Sequence, residues 1–207
     1  MNKTKFETRE LWLITAVEAM KPLFENKGYT IPKLRVSCGW PVRGGLAQKK
    51  RTLGECWDTE ASTDKQNQIF ISPYLSDVES PQGVLSVLVH EVCHAVVGIK
   101  AKHGKIFRKC AESVGLEGKM TSTHAGEELT AEIIKWSHVL GDYPHASLDA
   151  LKLPKQSTRM IKMVCPECGY VARTSQKWIT EAGPAYCPAH GAMEIEAPKN
   201  EDGVDNE

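Results

Sequence analysis

The segment His90-Glu91-Val92-Cys93-His94 constrains this chain more than any other. It sits among Leu85, Leu88, Val89, Val92, Val96 and Val97, between Pro81 and Gly98. Proline at the first helical position and glycine just past the last are boundary signals, so a helix is predicted over 82–97. A helix that is apolar all round is buried. Two histidines and a glutamate within it are costly unless they are satisfied. Positions i and i+4 lie about 6 Å apart on one helix face, so His90 and His94 can hold one metal ion. Glu91 lies about 100° further round the helix. That placement suits holding the water that the metal activates, not ligation. Cys93 points to another face and is expected in the core.

A catalytic zinc site needs a third protein ligand and one open position. His103 follows Gly98 in the segment His103-Gly104-Lys105-Ile106-Phe107. A helix end, a turn, a histidine, a glycine and a new helix can fold a third imidazole back to the first two. The spacing departs from HExxHxxGxxH, so the arrangement is not that of a metzincin. Glu127 or Glu128 on a later helix is the competing third ligand.

Four of the seven cysteines (Cys38, Cys56, Cys93 and Cys110) are scattered, as expected of reduced thiols acting as small hydrophobes. The other three cluster as Cys165-Pro-Glu-Cys168-Gly and Cys187-Pro-Ala-His190-Gly. Each is a tight loop that aims two ligands at one metal, followed by a glycine free to adopt positive φ. Four ligands with no open position describe a structural zinc. A segment this short lacks a core of its own, so the metal would supply its folding energy.

Periodicity places the other elements. Leu11, Ile14, Val17, Met20 and Leu23 mark a helix within 6–26, stopped near Gly28. Residues 34–38, 54–57 and 68–72 read as strands of a small sheet. Further helices are predicted from about Lys105 to Val114 and from Glu127 to Leu140.

HEVCH followed by HGKIF resembles the SprT-like zinc metallopeptidases, which include the Spartan proteases. The resemblance covers about residues 10–193 and is closest to small SprT-like proteins of bacteria and phages. It implies His90, His94 and His103 as ligands of a catalytic zinc and Glu91 as the general base. It also implies a protein substrate, notably protein crosslinked to DNA. The expected fold class is α+β: a zincin-like catalytic domain, its HExxH helix packed on a small sheet, plus a small zinc-ribbon-like β unit. The expected organisation is a SprT-like domain over 1–145, a linker over 146–160, the zinc-ribbon-like unit over 161–195 and an acidic tail over 196–207. Two zinc ions are expected, one catalytic at the histidines and one structural at Cys165, Cys168, Cys187 and His190. A site of three imidazoles also accepts neighbouring first-row metals.

Composition bounds the rest. A hydrophobic fraction of 41% excludes a disordered chain. The longest apolar runs fall far short of the ~20 residues of a membrane span. MNKTKFETRE carries charge with no apolar segment behind it, so no secretory signal is visible and a cytoplasmic location is expected. The net charge of zero hides an asymmetry. Six acids and one base lie in residues 194–207, which leaves the remainder at about +5. Lys100, Lys102, Lys105, Arg108 and Lys109, with Lys49, Lys50 and Arg51, are candidates for a basic rim. Tyr170, Arg173, Lys177 and Trp178 mix aromatic and basic character, as a surface for single-stranded DNA does. Trp40 and Arg43 are candidates for lining the cleft. Tyr143, His124, Tyr74 and His138 are candidate second donors to an oxyanion. A non-catalytic DNA-binding module and a zinc peptidase with no link to DNA are the alternative functions. Glu91 separates the first of these from an enzyme, because a structural site has no need of it.

Overall fold

Thr8 starts the first helix: its hydroxyl accepts from Leu11 N at 3.2 Å, and Glu10 stands in the first turn. This helix, α1, runs Arg9–Asn26 in the computed structural model of the protein, which describes residues 5–47, 50–75, 81–144, 148 and 160–196. It buries Trp12, Leu13, Ala16, Val17, Met20 and Phe24. The chain divides into two units, Met1–Leu151 and Lys152–Glu207.

In the first unit, β1 (Leu34–Cys38), β2 (Gly54–Trp57) and β3 (Asn67–Ile71) form a sheet in the order β1-β3-β2. β3 is parallel to β1 and antiparallel to β2. β3 buries Asn67, Ile69 and Ile71 in strict alternation, the period-two pattern of a strand with one face in the core. Asn67 is satisfied there by donating Nδ2 to Trp57 O at 3.0 Å. β2 is left at the sheet edge.

Helix α2 spans Pro81–Val97 and packs against β2 and β3. It buries Val84, Leu85, Leu88, Val89, Val92 and Cys93, which places Cys93 in the core as expected. After it the chain reverses through two residues with positive φ, Gly98 at 81° and Lys102 at 47°. Glycine takes this conformation without the clash a Cβ brings. The reversal delivers His103 and then α3, Lys105–Ser113, which buries Phe107, Cys110 and Ala111.

Two strands follow that the periodicity did not announce. β4 (Leu116–Lys119) and β5 (Ser122–Ala125) form an antiparallel hairpin, with Lys119 opposite Ser122. Four-residue strands rich in Gly, Lys, Ser and Thr carry too little apolar alternation to stand out. α4, Glu127–Leu140, buries Leu129, Ile133, Trp136 and Leu140, and Gly141 closes it at a φ of 73°.

The second unit is built on β6 (Ile161–Val164), β7 (Val171–Thr174) and β10 (Glu194–Ile195), in the order β10-β6-β7. β8 (Tyr186–Cys187) pairs with β9 (Gly191–Ala192). Between the two cysteine loops the chain forms a strand and then a short helix, α5, Gln176–Ala182. Residues 146–160 lie outside the described residues except Leu148 and Met160, and the expected tail lies outside them from 197 onward.

Candidate active site and cysteine cluster

The second half of α2 and the turn after it bring three imidazoles to one point. His94 Nε2 lies 3.2 Å from His103 Nε2, which lies 3.4 Å from His90 Nε2. His103 is therefore the residue that joins the helical pair; Glu127 and Glu128 are not in this group. Three nitrogens this close, with so few protons to share, make an unfavourable cluster unless a cation sits among them. Ligands about 2.05 Å from a tetrahedral zinc would stand about 3.3 Å apart, so the spacing fits the ion.

Each ring is held differently. Phe107 stacks on His94, with centroids 4.2 Å apart and 26° between planes, and also meets His90 at 5.0 Å and His103 at 5.1 Å. His90 Nδ1 is 2.8 Å from Thr123 Oγ1 on β5. His94 Nδ1 is buried without a hydrogen-bond partner among the described residues. Burial is the main cause that lowers all three histidines below their ordinary value, His90 to about 4 and His94 to about 3. Neutral imidazoles are the form that ligates a metal.

Glu91 is buried beneath β2, which can pass over it because residue 54 is glycine. A Cβ there would lie 2.6 Å from Glu91 Oε1 and 2.8 Å from Val87 Cγ1. Burial raises the Glu91 carboxyl to about 8, Glu55 nearby adds to this, and the Cys56 N–H donating to it opposes both. Glu55 itself is fixed by Val42 N and Trp57 Nε1, each donating at 3.0 Å.

A cleft of about 700 Å³ opens over these residues. Its lining includes Gly54, Glu55 and Cys56 of β2, Arg43, Arg51 and Lys102, and the hydroxyl-bearing Thr52, Ser86, Thr121, Ser122 and Thr123. Arg43 of the loop after β1 thus reaches the cleft, while Trp40 packs on Tyr74 at 4.9 Å. Of the candidate basic rim, Lys50, Arg51 and Lys102 line the cleft. Lys100 pairs with Glu60 and Arg108 with Glu112, and Lys49 lies outside the described residues. Arg51 also lies over the Tyr74 ring, 3.3 Å from its centroid.

None of the four candidate oxyanion donors lines the cleft. Tyr143 packs edge-on against Trp12, and burial raises its phenol. Tyr74 lies under Arg51, His124 faces Glu117 at 3.9 Å on the outer side of β5, and His138 is exposed on α4. Thr52 and residues 121–123 were missed because only the fold of the loop and the unannounced hairpin brings them there, and Ser86 because it sits in the apolar run of α2.

In the second unit the two cysteine loops converge. Cys165 Sγ and Cys187 Sγ each lie 3.6 Å from His190 Nδ1, and Cys168 Sγ lies 3.6 Å from Cys187 Sγ. Sulfurs on a tetrahedral zinc stand about 3.8 Å apart, so this donor set also fits. Gly169 and Gly191, which follow the second residue of each pair, have φ of 73° and 91°. Backbone N–H groups turned inward by these loops lower two of the thiols: that of Cys168 acts on Cys165, that of Ala189 on Cys187. Tyr170, Trp178 and Tyr186 are exposed, and Lys177 Nζ lies 5.1 Å from the centre of the Trp178 ring.

No curated protein and no solved structure matches this chain. A family model, that of the SprT-like family, matches residues 19–126, just over half of the 207 residues. The match contains the three histidines, Glu91, Gly54, Phe107 and Thr123, and ends before the cysteine cluster. With the matched span coinciding with the elements that build the cleft, the chain belongs to the SprT-like family.

Proposed function

We propose that this chain is a zinc-dependent protease of zincin-like fold that hydrolyses peptide bonds in proteins bound or crosslinked to DNA. Membership of the SprT-like family gives it a metalloprotease-type function. His90, His94 and His103 hold the catalytic zinc. The observation that carries this reading is their convergence at 3.2 and 3.4 Å beside a buried carboxylate.

When bound, zinc would supply Lewis acidity, polarising the scissile carbonyl, acidifying water and favouring the ionised form of Glu91. Glu91 is the general base: its carboxylate accepts the proton of the attacking water and passes it to the leaving amine. Gly54 leaves room for that carboxylate, and the Cys56 N–H orients it. Thr52, Ser86 and Thr121 line the cleft and are the candidates for a second oxyanion donor.

Cys165, Cys168, Cys187 and His190 hold a structural zinc in a zinc-ribbon-like domain over 161–195, joined to the catalytic domain (1–145) by a linker over 146–160 and followed by an acidic tail over 196–207. All seven cysteines are free, which suits a protein of the reducing cytoplasm. No described helix is long and apolar enough to cross a membrane. The DNA link is supported by the exposed Tyr170, Trp178 and Tyr186, with Lys177 near the Trp178 ring, and by the cationic lining of the cleft.

The test is cleavage of a DNA-binding protein by wild type and by Glu91→Gln, with and without single-stranded DNA. Cleavage that needs both DNA and Glu91 is expected. Cleavage that needs Glu91 and ignores DNA would remove the DNA link and keep the peptidase. An inert wild type that still holds two zinc ions would favour the non-catalytic module.

A further inference from the structure

Of the three histidines in the cleft, one has its outer nitrogen engaged by a side chain. His90 Nδ1 lies 2.8 Å from Thr123 Oγ1, a full hydrogen bond by distance. His94 Nδ1 has no partner among the described residues and is held in place by stacking on Phe107. His103 is exposed, so water can serve its outer nitrogen.

The strand explains why Thr123 reaches His90. β5 alternates exposed and half-buried residues: Ser122 and His124 face outward, Thr123 and Ala125 inward. β5 packs against α2, the helix that carries His90. Thr123 is opposite Gly118 in the hairpin, whose φ of 92° belongs to the left-handed region that glycine favours. The hairpin thus sets the depth of one hydroxyl.

We infer that Thr123 is a positioning residue for the metal site: its hydroxyl oxygen accepts the His90 Nδ1 proton and so fixes His90 with Nε2 bare and aimed at His94 and His103. This inference rests on His90 being a metal ligand, as proposed above. A neutral imidazole has one N–H and one bare nitrogen. With Thr123 as acceptor the proton stays on Nδ1, and the ring cannot turn over without breaking the bond. Without it, the Nε2–H tautomer competes, and each zinc that binds must first shift that proton. Partners of this kind typically govern 10–100-fold in metal affinity. Thr123 itself touches neither substrate nor metal in this role.

The experiment follows the ring nitrogens of His90 and His94 by 15N NMR in the full chain, during zinc titration in competition with a chelator. These signals report the histidine site separately from the cysteine cluster. Thr123→Val keeps the shape and removes the acceptor; Thr123→Ser keeps the oxygen. In the metal-free wild type, the His90 proton is expected on Nδ1. Zinc affinity at the histidines is expected to fall about 10–100-fold in Thr123→Val and to stay within a few-fold of wild type in Thr123→Ser. Affinity unchanged in Thr123→Val, or a wild-type His90 protonated on Nε2, overturns the inference and leaves the zinc site standing. The second observation needs no variant to fold. Ring signals of wild type that ignore zinc altogether overturn the site itself, and the inference with it.

Discussion

The two metal-ligand groups stand on unlike foundations. The histidines of the first unit rise from a core that includes 27 buried apolar residues, with Trp12, Phe24, Phe107 and Leu88 wholly out of solvent. The buried cluster of the second unit is Met163, Cys165, Cys187 and Met193, and two of these four are themselves candidate ligands. The helix that carries His90 and His94 is packed whether or not a metal is bound. A group that is half of its own core has little else to hold it. The difference is the one expected between a site preorganised for chemistry and a site whose metal would be part of the fold.

Metal removal should divide the molecule along this line, with the largest effect of all. Structural zinc of this kind contributes about 10–16 kcal/mol of apparent binding free energy, more than a sheet of short strands can replace. A strong chelator is expected to collapse the amide dispersion of residues 160–196 while residues 81–144 keep their protection from hydrogen exchange. Cys187→Ser should do the same to the second unit without a chelator. Equal loss of protection in both units would show that the histidine site, too, depends on its metal for folding.

The same contrast explains what the sequence could tell. α2 was legible from its boundaries because Pro81 and Gly98 bracket an apolar run, and both ends fall where expected. The strand at 34–38 was legible because Leu34, Val36 and Cys38 alternate with Arg35 and Ser37, and the one at 54–57 because it is a short run bounded by polar residues. The cysteine loops announce themselves through residue type and spacing, which survive without knowledge of the fold. His103 was harder, since a turn of seven residues decides whether it comes back, and positive φ at Lys102 has no sequence signal. Thr123 and Gly54 were not legible. Their parts depend on a weakly patterned hairpin and on how closely an edge strand crosses a helix, and both are tertiary facts.

Within the first unit, chemistry and stability should come apart. Glu91→Gln keeps the shape and the hydrogen-bonding reach of the side chain and removes the proposed base. Activity on a protein substrate should fall by about 10²–10⁴-fold, while zinc content and thermal stability at neutral pH change little. The glutamine amide fills the same space, and its oxygen can still accept from the Cys56 N–H. A fall in zinc content would instead mean that Glu91 supports the ligands themselves.

Phe107 tests whether packing alone holds His94. Phe107→Ala opens a cavity in the core and is expected to destabilise the first unit by about 3–5 kcal/mol. The second unit should be untouched, read by the protection of residues 160–196. Phe107→Leu retains most of the volume and costs under about 1.5 kcal/mol, yet removes the stacked ring from His94. Zinc affinity reduced in the leucine variant, at nearly full stability, would assign the ring an orienting part beyond filling space.

Two glycines give the sharpest comparison. At Gly54 a Cβ would meet Glu91 Oε1 at 2.6 Å and Val87 Cγ1 at 2.8 Å, whereas at Gly98 nothing lies within 4 Å. Gly98 instead has a φ of 81°, where an L side chain is strained. Gly98→Ala should therefore cost about 1–3 kcal/mol in stability and disturb the turn that carries His103. Gly54→Ala should cost about 1–3 kcal/mol through overpacking and turn the Glu91 carboxylate aside. The two variants differ in what they spare. Gly54→Ala is expected to retain zinc affinity and lose turnover, because the strand presses on the base and not on the ligands. Gly98→Ala is expected to lose zinc affinity first, because the turn delivers a ligand and not the base. Matching losses in both variants would mean that base and ligands move as one body, and that the edge of β2 and the turn after α2 are a single support.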